Sequence, residues 1–187
     1  MVEIYLPSVE EYMPDKILFL ARLKARYKNI VNETDLLVRL NELYLEGLRN
    51  VSPTVHHTVR PVEELPPSLI PNSFLNVKRV SLFLSTLGKS IDESINSFLE
   101  RGRTHDAAVL DAWASEALEA LNESFDEKLR NKFGRGTMRF SPGYGEVDIR
   151  WNRYIVELLK VDGVEVLNSG IMVPRKTTTC MIGWYDG

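Results

Sequence analysis

Residues 139–145 read RFSPGYG, which places a cation, a Pro-Gly turn and an aromatic ring within seven positions. The planar fork of Arg139 suits a carboxylate, and Tyr144 offers a flat ring and a hydroxyl. Pro142-Gly143 favours a tight turn, and Gly143, having no β-carbon, is expected to let a ligand reach the main chain and its amide donors. Together these residues suit a ligand with a carboxylate at one end and an aromatic ring at the other. The same residues also suit a capped loop between two helices, with Arg139 solvated and Tyr144 in the core.

Other chemistry is less well supported. There is no glycine-rich phosphate fingerprint at strand-to-helix spacing, and the GKS at 88–90 lacks the upstream glycine of a phosphate loop. His56 and His57 are adjacent, so on a strand they point to opposite faces and do not jointly clasp a metal. Cys180 is the single cysteine, which excludes an intramolecular disulfide, and its β-branched surroundings read it as a small buried apolar side chain. Lys16, Arg22, Lys24, Arg26 and Lys28 form either a docking surface or a solvated helix face. A net charge of -3 gives no general attraction to nucleic acid, so a neutral ligand or a protein partner is expected. The first residues lack a signal-peptide pattern and no apolar run reaches membrane-spanning length, which points to a cytoplasmic protein.

The elements that must position the loop can be read from periodicity. The 187 residues, 44% of them hydrophobic, suffice for one domain around a sizeable core. Leu36, Leu40, Leu43 and Leu48 predict a helix over 34–49 with Thr34 as its cap. SPTVHHTVRP reads as a strand, and the proline-rich stretch after it as a connector. Val80, Leu82 and Leu84 alternate with Ser81, Phe83 and Ser85 to give a second strand, followed by a helix that opens on a Ser90/Glu93 capping box and ends near Gly102. Leu110, Ala114, Ala117, Leu121, Phe125 and Leu129 mark one buried stripe of a long helix from His105 to about Lys132. Trp151, Tyr154, Ile155, Leu158 and Leu159 mark another helix, closed by Gly163. VEVLNSGIMV and TTTCMIGWY flank PRK and are expected to pair as a hairpin that turns near Pro174. The mixture lacks regular βαβ repetition, so the fold class is α+β with a largely antiparallel twisted sheet packed with helices, in a single domain over 1–187.

RFSPGYG, followed by a helix and LNSGIMVPRKTTTCMIGWY, resembles the activation domain of cobalamin-dependent methionine synthase, in which an Arg-x-x-Pro-Gly-Tyr loop receives S-adenosylmethionine. HDAAVLDAWASEALEALNESFDEKLR resembles the family's long helix before that loop, and VSLFLSTLG and SIDESINSFLERG its preceding strand and helix. The resemblance covers residues 77–187, and residues 1–76 match only loosely. It implies that Arg139 binds the methionine carboxylate and that Pro142, Gly143 and Tyr144 line the ligand. It also implies that Glu119, which spacing alone would place on a solvated face with Glu116 and Glu123, faces the ligand. Long members of the family continue past the GWY stretch and add contacts near the adenosine.

There is no DxHxxG cobalamin motif and no room for the substrate barrels. The resemblance therefore implies a free-standing reactivation subunit, acting on cobalamin held by a methionine synthase chain and served by a one-electron donor such as a flavodoxin-like protein. Reduction of cobalt(II) would be pulled forward by methyl transfer from S-adenosylmethionine, with residues 139–145 and the Pro174–Lys176 turn at the docking face. The chain alone would turn nothing over. A sensor that binds S-adenosylmethionine or another adenosyl ligand without catalysis, and a scaffold whose loop is purely structural, are the alternative readings.

Overall fold

The computed structural model describes residues 1–24 and 33–185. Arg26 and Lys28 lie outside the described residues. A four-stranded antiparallel sheet runs in the order β1 (Glu3–Tyr5), β2 (Thr54–Pro61), β3 (Arg79–Thr86) and β6 (Thr177–Trp184). In its centre Leu82 lies opposite Met181 and Phe83 opposite Cys180, so alternation sends successive residues to two different cores. Val80, Leu82, Leu84 and Met181 join one apolar cluster, while Val55, Phe83, Cys180, Ile182 and Trp184 join the other. The serines of β3 are not a wet face: Ser81 and Ser85 are fully buried because helices or loops cover the sheet on both sides.

The second cluster holds the helices α1 (Val9–Tyr12), α2 (Lys16–Arg22), α3 (Thr34–Arg49), α4 (Ser90–Glu100) and α5 (Thr104–Phe133) against one face. The first cluster is closed by α6 (Trp151–Leu159), the connector after β2 and a small hairpin of β4 (Glu165–Val166) and β5 (Met172–Val173). The helices follow the expected spacings, but their starts differ. Thr34 and Ser90 are first helical residues rather than caps, and Glu33 and Lys89 occupy the cap positions without a side-chain bond. In place of the reciprocal box, Glu93 pairs with Lys89 across one turn at 3.7 Å. Lys160, at φ 50°, ends α6 before Gly163 is reached.

The hairpin expected between VEVLNSGIMV and TTTCMIGWY is replaced by another pairing. The stretch 165–173 folds on itself, Glu165 opposite Val173, around a turn at Leu167–Ile171 where Gly170 takes φ 87°. Gly170 donates to the Leu167 carbonyl and Leu167 to that of Ile171, both at 2.9 Å, so Asn168-Ser169-Gly170 is the turn and PRK the crossover into the main sheet. β6 is buried on both faces, which suits a place beside β3 and not an isolated two-stranded ribbon. Lys176 is also buried, its ammonium bound to Asp111 and Ser115, and it is withdrawn from the surface expected for the Pro174–Lys176 turn.

Candidate functional site

The site is built where α5 ends and the chain doubles back along β6. Gly134 turns the chain, and Thr137 and Phe140 then bond to Gly183 and Met181 on the outer edge of β6, at 2.8 Å and 2.9 Å. Arg130 fastens the return by donating to the Thr137 carbonyl at 2.9 Å. Residues 136–140 thus run antiparallel to β6 beside the last turns of α5, and Arg139 is delivered between them. Beyond Phe140 the loop leaves the strand. In a ladder, alternate residues aim their backbone groups to the same side, so Thr179 and Thr177, in phase with Met181 and Gly183, turn their N–H and C=O toward the gap that opens.

That gap is a cleft of about 600 Å³, walled by α5, the 139–144 loop, β6 and Asn152 of α6. Four of the five sequence-assigned residues line it: Glu119, Arg139, Pro142 and Tyr144. Arg139 donates to the Glu119 carboxylate, so cation and anion are paired directly on the lining of the cleft. The Arg139 side chain is 20% exposed and that of Glu119 46%, so Arg139 is neither solvated as the loop-only reading required nor sealed away. Tyr144 is 71% exposed at the mouth, which removes the reading that placed it in the core.

Gly143 is placed differently. It is not among the lining residues, and its N–H is spent on the Val147 carbonyl at 2.8 Å instead of being free for a ligand. Its φ of 96° is the left-handed value that demands glycine, and a β-carbon there would press on Ile149 at 3.3 Å. The turn positions its neighbours; it does not itself open the main chain.

Several residues of the cleft carry no motif in the sequence. Asn152 donates to the Gly170 carbonyl at 2.9 Å and accepts from Thr179 at 2.5 Å, which ties α6 and the 167–171 turn to the β6 wall. Asn122, 2% exposed, lines the cleft with its side-chain oxygen buried and unpartnered. Its position was detectable: four residues after Leu118 and three before Phe125, it is a polar residue set within the apolar stripe of α5. Cys180 lies below, its sulfur 3.5 Å from the Ser141 hydroxyl, and burial pushes its thiol up to about 11.

The other candidates lie elsewhere. His57 is buried on the α5 side of β2 while His56 faces the opposite cluster, and among the described residues no group of three or more His, Cys, Asp or Glu is placed to hold a metal ion. Lys16, Arg22 and Lys24 are exposed, and Arg22 pairs with Glu116. No helix of the described residues is long and apolar enough to cross a membrane.

No protein-family model matches the chain, and no curated protein matches it in sequence. Among solved structures, one described as "Crystal Structure of the MetH Reactivation Domain bound to AdoHcy" superposes on 99% of this chain and 78% of its own, with a TM-score of 0.74 and 16% sequence identity. The chain therefore has the α+β fold of the MetH reactivation domain, with the antiparallel sheet and its helices described above.

Proposed function

We propose that this protein binds S-adenosylmethionine in the cleft and serves as a reactivation component for a cobalamin-dependent methionine synthase. The observation that carries the reading is the Arg139–Glu119 ion pair lining the cleft, in a fold whose solved neighbour is described with AdoHcy bound. The cleft volume falls within the range of roughly 300–1,000 Å³ typical of small-molecule sites.

The pair suits a zwitterion. A ligand carrying both carboxylate and ammonium exchanges one internal ion pair for two external ones: the Arg139 fork turns to the ligand carboxylate, and Glu119 takes the ammonium. A simple carboxylic acid would have to displace Glu119 and leave its charge without a partner, so the amino-acid end is selected over an acid alone. The outward backbone groups of Thr177 and Thr179 then offer donors and acceptors to the nucleoside, and the ring of Tyr144 offers it an apolar face at the mouth.

Methyl transfer from a sulfonium to reduced cobalt on a partner's corrinoid moves no proton, so the chain's part is to bind, orient and exclude water. Cys180 must also stay silent. A thiolate near an activated methyl would compete for it, and a thiol held near 11 stays protonated at neutral pH.

The test combines this chain with a cobalamin-bearing methionine synthase lacking its own activation domain, a one-electron donor such as a reduced flavodoxin-like protein, and S-adenosylmethionine. The cobalt(II) absorption is expected to give way to that of methylcobalt(III), and to persist when this chain is left out. Persistence despite measured binding of S-adenosylmethionine would replace reactivation with a binding-only module, and absence of binding would remove both readings.

A further inference from the structure

The cleft contains a polar group that the fold itself does not use. The Asn122 side chain is 2% exposed, it lines the cleft, and its oxygen is buried without a hydrogen-bond partner. A buried acceptor left unpaired is costly, and such groups in folded proteins usually have a partner of some kind. Nothing in the packing of α5 requires an amide here. Leu118 and Phe125, one turn before and after it on the helix, are buried apolar residues of one core cluster, and leucine would continue their stripe.

We infer that Asn122 is a specificity-determining residue that accepts a hydrogen bond from the amino group of the ligand's amino-acid end, an inference that rests on the S-adenosylmethionine reading above. Asn122 stands three residues after Glu119 on α5, and helix neighbours at that spacing lie about 5–6 Å apart between β-carbons on one face. It therefore belongs to the end of the cleft where Arg139 and Glu119 meet, and the α-amino group is the donor nearest to a carboxylate held by Arg139. An ammonium has three N–H donors, and the Glu119 carboxylate meets it from one side only, which leaves donors for a further acceptor. Asn122 supplies a second, neutral acceptor one helical turn from Glu119, once its amide turns to bring the buried oxygen round to the cleft it lines. A neutral group is the appropriate choice there, because a second buried carboxylate would repel both Glu119 and the incoming carboxylate.

Asn122→Leu separates this role from a structural one, since the two move in opposite directions. Removing an orphaned acceptor from an apolar surround should raise the melting temperature by a few degrees, as about 1 kcal/mol corresponds to roughly 2–4 °C in a domain of this size. At the same time, affinity for S-adenosylhomocysteine, measured by calorimetry, should fall about 10- to 100-fold. The desamino analogue and 5′-methylthioadenosine, which lacks the amino-acid end, should bind wild type and variant within about 2-fold of each other, because neither presents the amino group. An equal loss for all three ligands, or unchanged affinity for S-adenosylhomocysteine, would overturn the assignment. If the wild type itself binds none of them, the functional reading fails and this inference fails with it. Asn122→Ala, smaller than either residue, gives the same comparison should leucine prevent folding.

Discussion

At the scale of residues, the proposed binding of a zwitterion at the Arg139–Glu119 pair would make affinity a difference between ion pairs and not a sum of contacts. Arg139→Ala removes the fork and leaves Glu119 facing the ligand carboxylate, so two losses add. A charge-assisted bidentate contact contributes roughly 1.5–3 kcal/mol, and calorimetry with S-adenosylhomocysteine should find affinity at least about 10-fold lower. Glu119→Gln weakens the hold on the ammonium but frees Arg139 from its internal competitor, so its loss should be clearly smaller. A larger loss in Glu119→Gln than in Arg139→Ala would contradict the exchange. The place of Arg139 on the cleft was suggested by its residue type beside a Pro-Gly turn, and that of Glu119 only through the resemblance, because a glutamate among glutamates on a helix carries no mark of its own. Gly143 shows why a glycine is ambiguous in a sequence. A positive φ and close ligand approach both call for glycine, and only the coordinates separate them.

At the scale of elements, α5 is the reference against which the rest of the site is set, and its seat depends on Gly47 of α3. A β-carbon at Gly47 would overlap the ring of Trp113, which is fully buried and packed edge-on against Tyr44 at 5.9 Å, with Tyr44 itself anchored to the Pro14 carbonyl at 2.6 Å. Two effects oppose one another in Gly47→Ala. Alanine favours a helix interior by roughly 0.5–1 kcal/mol, and overpacking a rigid ring costs roughly 1–3 kcal/mol. The ring has no room to yield, so the variant should be destabilised, seen as a lower urea midpoint with an unchanged slope. A midpoint equal to or above wild type would mean that Trp113 shifts freely. The longer elements from residue 34 on were visible in the spacing of leucines and alternating valines; the short helices α1 and α2, and which strands pair, were not. VEVLNSGIMV contains its own turn at Asn168-Ser169-Gly170, and TTTCMIGWY lacks the polar face of a hairpin strand. Burial on both faces suits its place beside β3, whose alternation gave the strand but not the cover that buries Ser81 and Ser85 as well.

At the scale of the molecule, the α+β class and the antiparallel sheet followed from the order of periodic segments, whereas the edge strand β1 was too short at Glu3–Tyr5 to carry a period. β1 matters because it closes the sheet over His57. Glu3 lies opposite His57 in the register, its carboxylate 4.0 Å from the ring, with Lys132 at 3.8 Å from the same carboxylate. The other ring nitrogen is 3.1 Å from the Ser81 hydroxyl, which accepts from the Trp184 indole at 2.8 Å. Burial outweighs the attraction of Glu3 and holds His57 down to about 4, against an ordinary 6.5. The folded protein therefore resists a proton that the unfolded chain accepts. Stability from this source is complete above pH 6.5 and is lost as pH falls from there toward 4, amounting to about 3 kcal/mol. Glu11 acts in the same direction at lower pH. Bonds from Tyr5, Ser8 and Lys128 outweigh its burial and hold it down to about 2, so its contribution is present above pH 4.5 and lost as pH falls toward 2. The urea midpoint should accordingly be level around neutrality and decline in two stages, the first between pH 6.5 and 4. His57→Phe keeps an aromatic ring beside Phe125 and removes the titrating group, so the first stage should flatten while the second remains. An undiminished decline between pH 6.5 and 4 in that variant would show that the acid sensitivity of the sheet arises elsewhere than at His57.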